Sequence, residues 1–192
     1  LVGSSSGCLL HAALVWCRKQ TKPLNVVTFA CDSGAKYLSK MFNDFWMIDQ
    51  GFIQRPRAGD LRDMIARRHD WREDYTLCAT DPLKLAILRM QMYGVSQMAV
   101  MDAAGGKEKV AGILDEGDVL LAVARDHAAF EHPVADYMTR KLETLRPSAT
   151  VDDLIPLFRA GRVALIVDDA GAYHGLITQI DLINYLRRQL PR

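Results

Sequence analysis

The chain has 192 residues, 49% of them hydrophobic and 24% charged, with a formal net charge of +1. That is enough apolar mass for one or two cores, and the balance of charge gives no electrostatic case for nucleic acid or an anionic membrane. No apolar run approaches the ~20 residues a membrane span needs, and no signal-peptide pattern is present, so a cytoplasmic setting is expected.

The chain opens on Gly3-Ser4-Ser5-Ser6-Gly7, ahead of an apolar run from Cys8 to Gln20. That run reads as a helix whose closing Arg18 and Lys19 complement the negative end of its dipole. Small residues before a helix make an anion-tolerant loop with free N–H groups; a cloning linker is the plainer alternative. Asn25 to Cys31 reads as a buried strand and Asp32-Ser33-Gly34 as its turn. Lys36 to Trp46 reads as a helix with Tyr37, Leu38, Met41, Phe42 and Phe45 on its apolar face. Helix, strand and helix in that order form the end of an α/β unit. Because the pattern opens mid-unit at Leu1, the chain is expected to be a piece of something longer. Gly51 to Gly59, with Pro56, reads as a linker. The division expected is 1–53, a linker at 54–59, then 60–126 and 127–192.

The remainder is a repeat of about 60 residues per copy. Asp60 caps a short helix, Leu61 to Ile65, whose counterpart is Val134 to Met138, after a connector from His127 to Pro133. Thr80-Asp81-Pro82-Leu83 and Ser148-Ala149-Thr150-Val151 each open an amphipathic helix behind a capping residue. Gln97 to Asp102 and Val163 to Asp168 are apolar runs ending in Asp, followed by the turns Ala103-Ala104-Gly105-Gly106 and Asp169-Ala170-Gly171. Then come Gly112-Ile113-Leu114-Asp115-Glu116-Gly117-Asp118 and Gly175-Leu176-Ile177-Thr178-Gln179-Ile180-Asp181. Each copy reads strand, helix, strand, turn, strand, helix.

Thr178 and Asp181 sit where the last strand meets the last helix. A helix start exposes unpaired N–H groups and partial positive charge, so the pair can be a simple cap. The same junction aims a hydroxyl and a carboxylate out of the strand's end, and a carboxylate can accept both donors of a ribose diol. Asp102 and Asp168 read as turn residues. The Asp115, Glu116, Asp118 cluster is explained by the helix dipole, so no metal site is expected. The histidines are scattered, with His132 and His174 in linker or turn positions. Cys8, Cys17, Cys31 and Cys78 lack metal spacing and read as buried reduced thiols.

From about Asp60 to Leu190 the pattern resembles the CBS-domain pair, or Bateman module. The resemblance implies tandem α+β repeats, each a small three-stranded sheet with two helices. Gly175-x-x-Thr178-x-x-Asp181 matches that family's ribose-binding signature. It implies an adenosine ligand (AMP, ATP or S-adenosylmethionine) held by Thr178 and Asp181, with the base near Val163. Asp118 would be the counterpart in the first copy, and Arg140 and Arg162 lie where a phosphate could be met. Two departures stand out: Asp115 replaces the threonine in the first copy, and Met98 and Ala164 stand where a proline is usual.

Leu1 to Phe52 resembles the C-terminal end of the catalytic domain of the cystathionine β-synthase and cysteine synthase family, fold-type II enzymes dependent on pyridoxal phosphate. The resemblance rests on Gly3 to Gly7, on Tyr37-Leu38-Ser39 and on Asn43 to Met47. It implies that Ser4, with Gly3 beside it, contacts the pyridine nitrogen of the cofactor. The Schiff-base lysine lies far upstream in that family, and Lys19, Lys22, Lys36 and Lys40 read as solvated charges, so no catalytic residue is expected here. The order of the two resemblances implies a regulatory module behind an upstream catalytic domain, acting as a homodimer. A ligand-free self-association module is the alternative.

Overall fold

The computed structural model describes residues 1–102 and 108–190. The turn expected at Ala103 to Gly106 and the last two residues of the second repeat lie outside the described residues. The chain forms two compact units, Leu1–Pro56 and Arg57–Arg192.

The first unit begins with helix α1 (Ser4–Cys17). Its start departs from the expectation: the serines are the first helical turn, not a loop before it. Gly3 is the N-cap, and its N–H donates to the Asp32 carbonyl at 3.0 Å. A Cβ on Gly3 would overlap the Asp32 carboxylate, so only glycine fits this approach. Ser6, buried, accepts from the Cys31 N–H at 3.0 Å. The strand expected over 25–31 does not form; the one ladder contact nearby is an isolated bridge between Val2 and Ser33. A strand needs a neighbour for its N–H and C=O groups, and no described residue of the unit lines up beside it. The helix expected from Lys36 to Trp46 is broken in two, a 3-10 turn Gly34–Tyr37 and helix α2 (Asp44–Asp49). Asn43 causes the break by capping α2, its side chain accepting from the Trp46 N–H at 3.2 Å. The described part of this unit has no apolar core: its buried residues are Gly3, Ser6 and Gly34, while Leu10, Trp16, Val27 and Phe29 are exposed.

The second unit holds the two repeats as expected. The first runs β1 (Thr76–Cys78), α3 (Leu83–Tyr93), β2 (Gln97–Asp102), β3 (Lys109–Asp115) and α4 (Glu116–Arg125); the second runs β4 (Thr144–Leu145), α5 (Val151–Arg159), β5 (Ala164–Val167), β6 (Tyr173–Ile177) and α6 (Gln179–Arg188). Each sheet has its first strand parallel to the second and the second antiparallel to the third. A register shift falls at Val100/Met101 in one hairpin and at Ile166/Val167 in the other. The central strands are apolar on both faces because both are covered. Met98 and Val100 join their own helices' core, and Ala164 and Ile166 do the same in the second repeat. The alternate residues Ala99, Met101, Leu165 and Tyr173 form a third core shared by the two sheets.

The segments that lead into each repeat cross over. Leu61, Met64 and Ile65, ahead of the first repeat, are buried with Leu154, Phe158, Ile177 and Leu182 of the second. The Leu61 N–H donates to Pro147 O at 3.0 Å. Val134 and Met138, ahead of the second repeat, are buried with Leu77, Leu83 and Leu114 of the first. Burying Leu61 and Ile65 stabilises the fold by about 1.5–3 kcal/mol each. The two repeat glycines are explained by this crossing. A Cβ on Gly175 would lie 2.6 Å from Ile65 Cγ2, at a backbone φ of +141°. One on Gly112 would overlap the Met138 side chain.

Two expectations fail at single residues. Cys8, Cys31 and Cys78 are exposed, not buried: Cys8 lies on a helix that has no core beneath it, and Cys78 faces outward from β1. His174 is no turn residue but a buried member of β6.

Candidate functional site

Helix α6 begins where β6 ends. Thr178, with extended backbone, accepts from the Asp181 N–H at 3.4 Å. In return Asp181 Oδ2 accepts from the Thr178 N–H at 2.8 Å and from its hydroxyl at 2.6 Å. This reciprocal pair is a capping box. Both residues are half-buried, and among the described residues Asp181 Oδ1 accepts no hydrogen bond. Ala164 pairs with Ile177, so Val163 and Thr178 are the next residues at that end of the ladder. The structure thus brings Thr178, Asp181 and Val163 to one strand end.

The two arginines expected to meet a phosphate there are engaged with protein acceptors. Arg162, exposed, is ion-paired with Glu143, and Arg140 Nη2 donates to the Ala135 carbonyl at 2.8 Å. Asp118 occupies the matching cap in the first repeat: its N–H donates to Asp115 Oδ1 at 2.8 Å, and its Oδ2 accepts from the Asp115 N–H at 3.3 Å. Burial pushes the Asp118 carboxyl up from the usual carboxylate range. The Asp115 N–H opposes that rise and the Asp115 charge adds to it. Two carboxylates and no hydroxyl make this junction a poorer host for an anionic ligand than its twin.

A third copy of the same local chemistry lies one helix earlier, missed as a pattern in the sequence. Asp153 Oδ2 accepts from the Thr150 N–H and hydroxyl, both at 2.8 Å. The Thr150 N–H holds the Asp153 carboxyl below the ordinary range. Thr150 and Asp153 are exposed, whereas Thr178 and Asp181 are half-buried beside the hairpin end. Thr-x-x-Asp therefore marks a cap wherever it occurs, and position alone distinguishes the α6 pair. Spacing from a glycine within the preceding strand, Gly175 in β6, is the sequence signal that separates them.

In the first unit Ser4 is exposed on the first turn of α1. Tyr37 donates to Asp32 Oδ2 at 2.8 Å, and that hydrogen bond, with the Asp32 charge, raises its phenol; Ser4 acts weakly in the other direction. Gly3 spends its N–H on Asp32. All four lysines of the unit are exposed. These residues offer a pyridoxal phosphate ring one polar contact and no cradle, so they do not hold the cofactor by themselves. Among the described residues no cluster of three or more His, Cys, Asp or Glu side chains is arranged to bind a metal ion.

Tandem three-stranded units, crossed lead-in segments and a capped strand-to-helix junction in each half define a class. The chain belongs to the CBS-domain family, whose pattern matches residues 67–125 and 134–188. It is 26% identical to cystathionine beta-synthase from Dictyostelium discoideum over 98% of its own length, and it spans 39% of that protein. Inosine-5'-monophosphate dehydrogenase from Nitrosopumilus maritimus is 32% identical over 47% of this chain and 17% of its own length. Among solved structures, CBSX2 in complex with AMP superposes with a TM-score of 0.57 at 16% identity, covering 67% of this chain and 96% of that one. A putative signal-transduction protein with CBS domains from Burkholderia ambifaria gives 0.58 at 24% identity, covering 69% and 97%. These likenesses carry the fold.

Proposed function

We propose that residues 60–192 form a regulatory module that binds an adenosine derivative in its second repeat and modulates a pyridoxal phosphate-dependent β-replacement enzyme of which this chain is the C-terminal part. The observation that carries the reading is the half-buried Thr178–Asp181 box at the end of β6, with one carboxylate oxygen unused. That oxygen suits a ribose hydroxyl, and Val163 beside it suits a flat base. Arg162 and Arg140 are engaged with protein acceptors, which favours S-adenosylmethionine or AMP over ATP. A solved structural neighbour holds AMP, and the relative matched along nearly the whole chain is a cystathionine beta-synthase. In the parent protein Ser4 and Gly3 face the cofactor ring, and the coreless first unit packs on the upstream catalytic domain. The domain division is 1–53, 54–59, 60–126 and 127–192, and the setting is cytoplasmic.

Calorimetry with AMP, ATP and S-adenosylmethionine tests the binding. At least one ligand is expected to bind the wild-type chain, with affinity lost at least tenfold in Asp181→Ala. Failure of all three to bind, or equal binding by the variant, overturns the reading. A second reading, self-association without ligand, is favoured by the exposed Leu120, Leu121, Ile180, Ile183 and Leu186 on α4 and α6.

A further inference from the structure

We infer that His174 is a proton-operated clasp fastening the segment ahead of the first repeat to the hairpin of the second. Its ring lies between two carboxylates from distant parts of the chain: Nδ1 is 2.7 Å from Asp70 Oδ2 and Nε2 is 3.3 Å from Asp168 Oδ2. A carboxylate only accepts, and a neutral imidazole has one N–H. Both contacts are therefore hydrogen bonds only while the ring carries both protons. With one proton gone, one nitrogen presents a lone pair to an oxygen, and one side of the clasp opens.

The surroundings make the clasp structural as well as local. The His174 side chain is only 11% exposed. Its neighbours on the strand join the same seam: Tyr173 packs on the His69 ring, with centroids 5.1 Å apart, and Gly175 lies against Ile65 and the Arg67 carbonyl. Asp168 is anchored independently, accepting from the Ala170 and Ala172 N–H groups at 2.9 and 2.8 Å. The Ala172 N–H is the main cause holding its carboxyl below the usual range, so it stays an acceptor. From the lead-in segment the other charged groups are His69, whose Nδ1 meets Asp74, and Arg62, whose charge interacts with Asp70. Arg68 is tied to Asp63 at 3.0 Å. Asp74 is pushed up by burial and also raises the Tyr173 phenol, whose own burial is the larger cause. The first repeat has Ala111 where the second has His174, three positions before Leu114 as His174 is before Ile177. The clasp belongs to one half only.

The test is thermal unfolding of the 192-residue chain from about pH 5.5 to 8.5, the range in which imidazoles titrate, for the wild type, His174→Gln and Asp70→Asn. The wild type is expected to lose about 2–4 °C more of Tm than either variant as pH rises. Asp70→Asn loses the dependence because an amide can face either nitrogen of a neutral ring. Parallel Tm profiles for the three proteins would overturn the inference. Should His174→Gln fail to fold, the Tm profile of Asp70→Asn still decides it, and no ligand is required.

Discussion

Thr150–Asp153 and Thr178–Asp181 make the same bonds at two helix starts, which turns a difficult attribution into a controlled comparison. Asp153→Ala and Asp181→Ala each remove a capping box, worth about 0.5–2 kcal/mol of stability. Both variants should lose Tm to a similar extent, yet only Asp181→Ala should lose affinity for an adenosine ligand by calorimetry. Loss in both would assign the effect to stability alone. Asp60 offers a second residue-level prediction. Its carboxyl is held low, first by the hydrogen bond from Arg62, at 2.7 Å from Nη2 to Oδ2. A depressed carboxyl contributes stability that is present above its unfolded value, about 3.9, and is lost as pH falls through its folded value. The Tm gap between the wild type and Asp60→Asn should therefore shrink as pH falls below about 4.

At the level of elements, both repeats were legible because their patterns are overdetermined. Apolar runs such as Met98 to Met101 and Ala164 to Val167, short and bounded by turn residues in both copies, read as buried strands. The Thr178 and Asp115 caps could be read from their place after such a strand. Asn25 to Cys31 is also largely apolar but has no partner strand among the described residues, and composition cannot report a partner. Nor could the link of His174 to Asp70 be read, since 104 residues separate them. The glycine seam is where elements meet most closely. Gly175→Ala must displace Ile65 and strain a φ of +141°, a cost of about 1–3 kcal/mol. Gly171→Ala has open space and φ of +81°, so it carries the backbone strain without the clash. Gly175→Ala should therefore show the larger fall in Tm by calorimetric scanning.

For the molecule as a whole, apolar surface stays exposed on two helices of the second unit. Leu120 and Leu121 on α4, with Ile180 and Ile183 on α6, are each more than half exposed, and together they suit a second copy of the module. Leu120→Glu with Ile183→Glu should shift the sedimenting species from dimer to monomer while leaving each core intact. A wild-type monomer at all concentrations would remove the dimer proposal.

The crossing of the lead-in segments has a mechanical consequence. The segment ahead of the first repeat is seated in the second, since residues 61–65 are buried among Leu154, Phe158 and Ile177. Any displacement of that segment therefore reaches first the floor beneath β6, the strand whose last residue, Ile177, leads into Thr178. A piece cut to begin at residue 67, the family boundary, would keep every strand and helix of both repeats yet leave the second one unplugged.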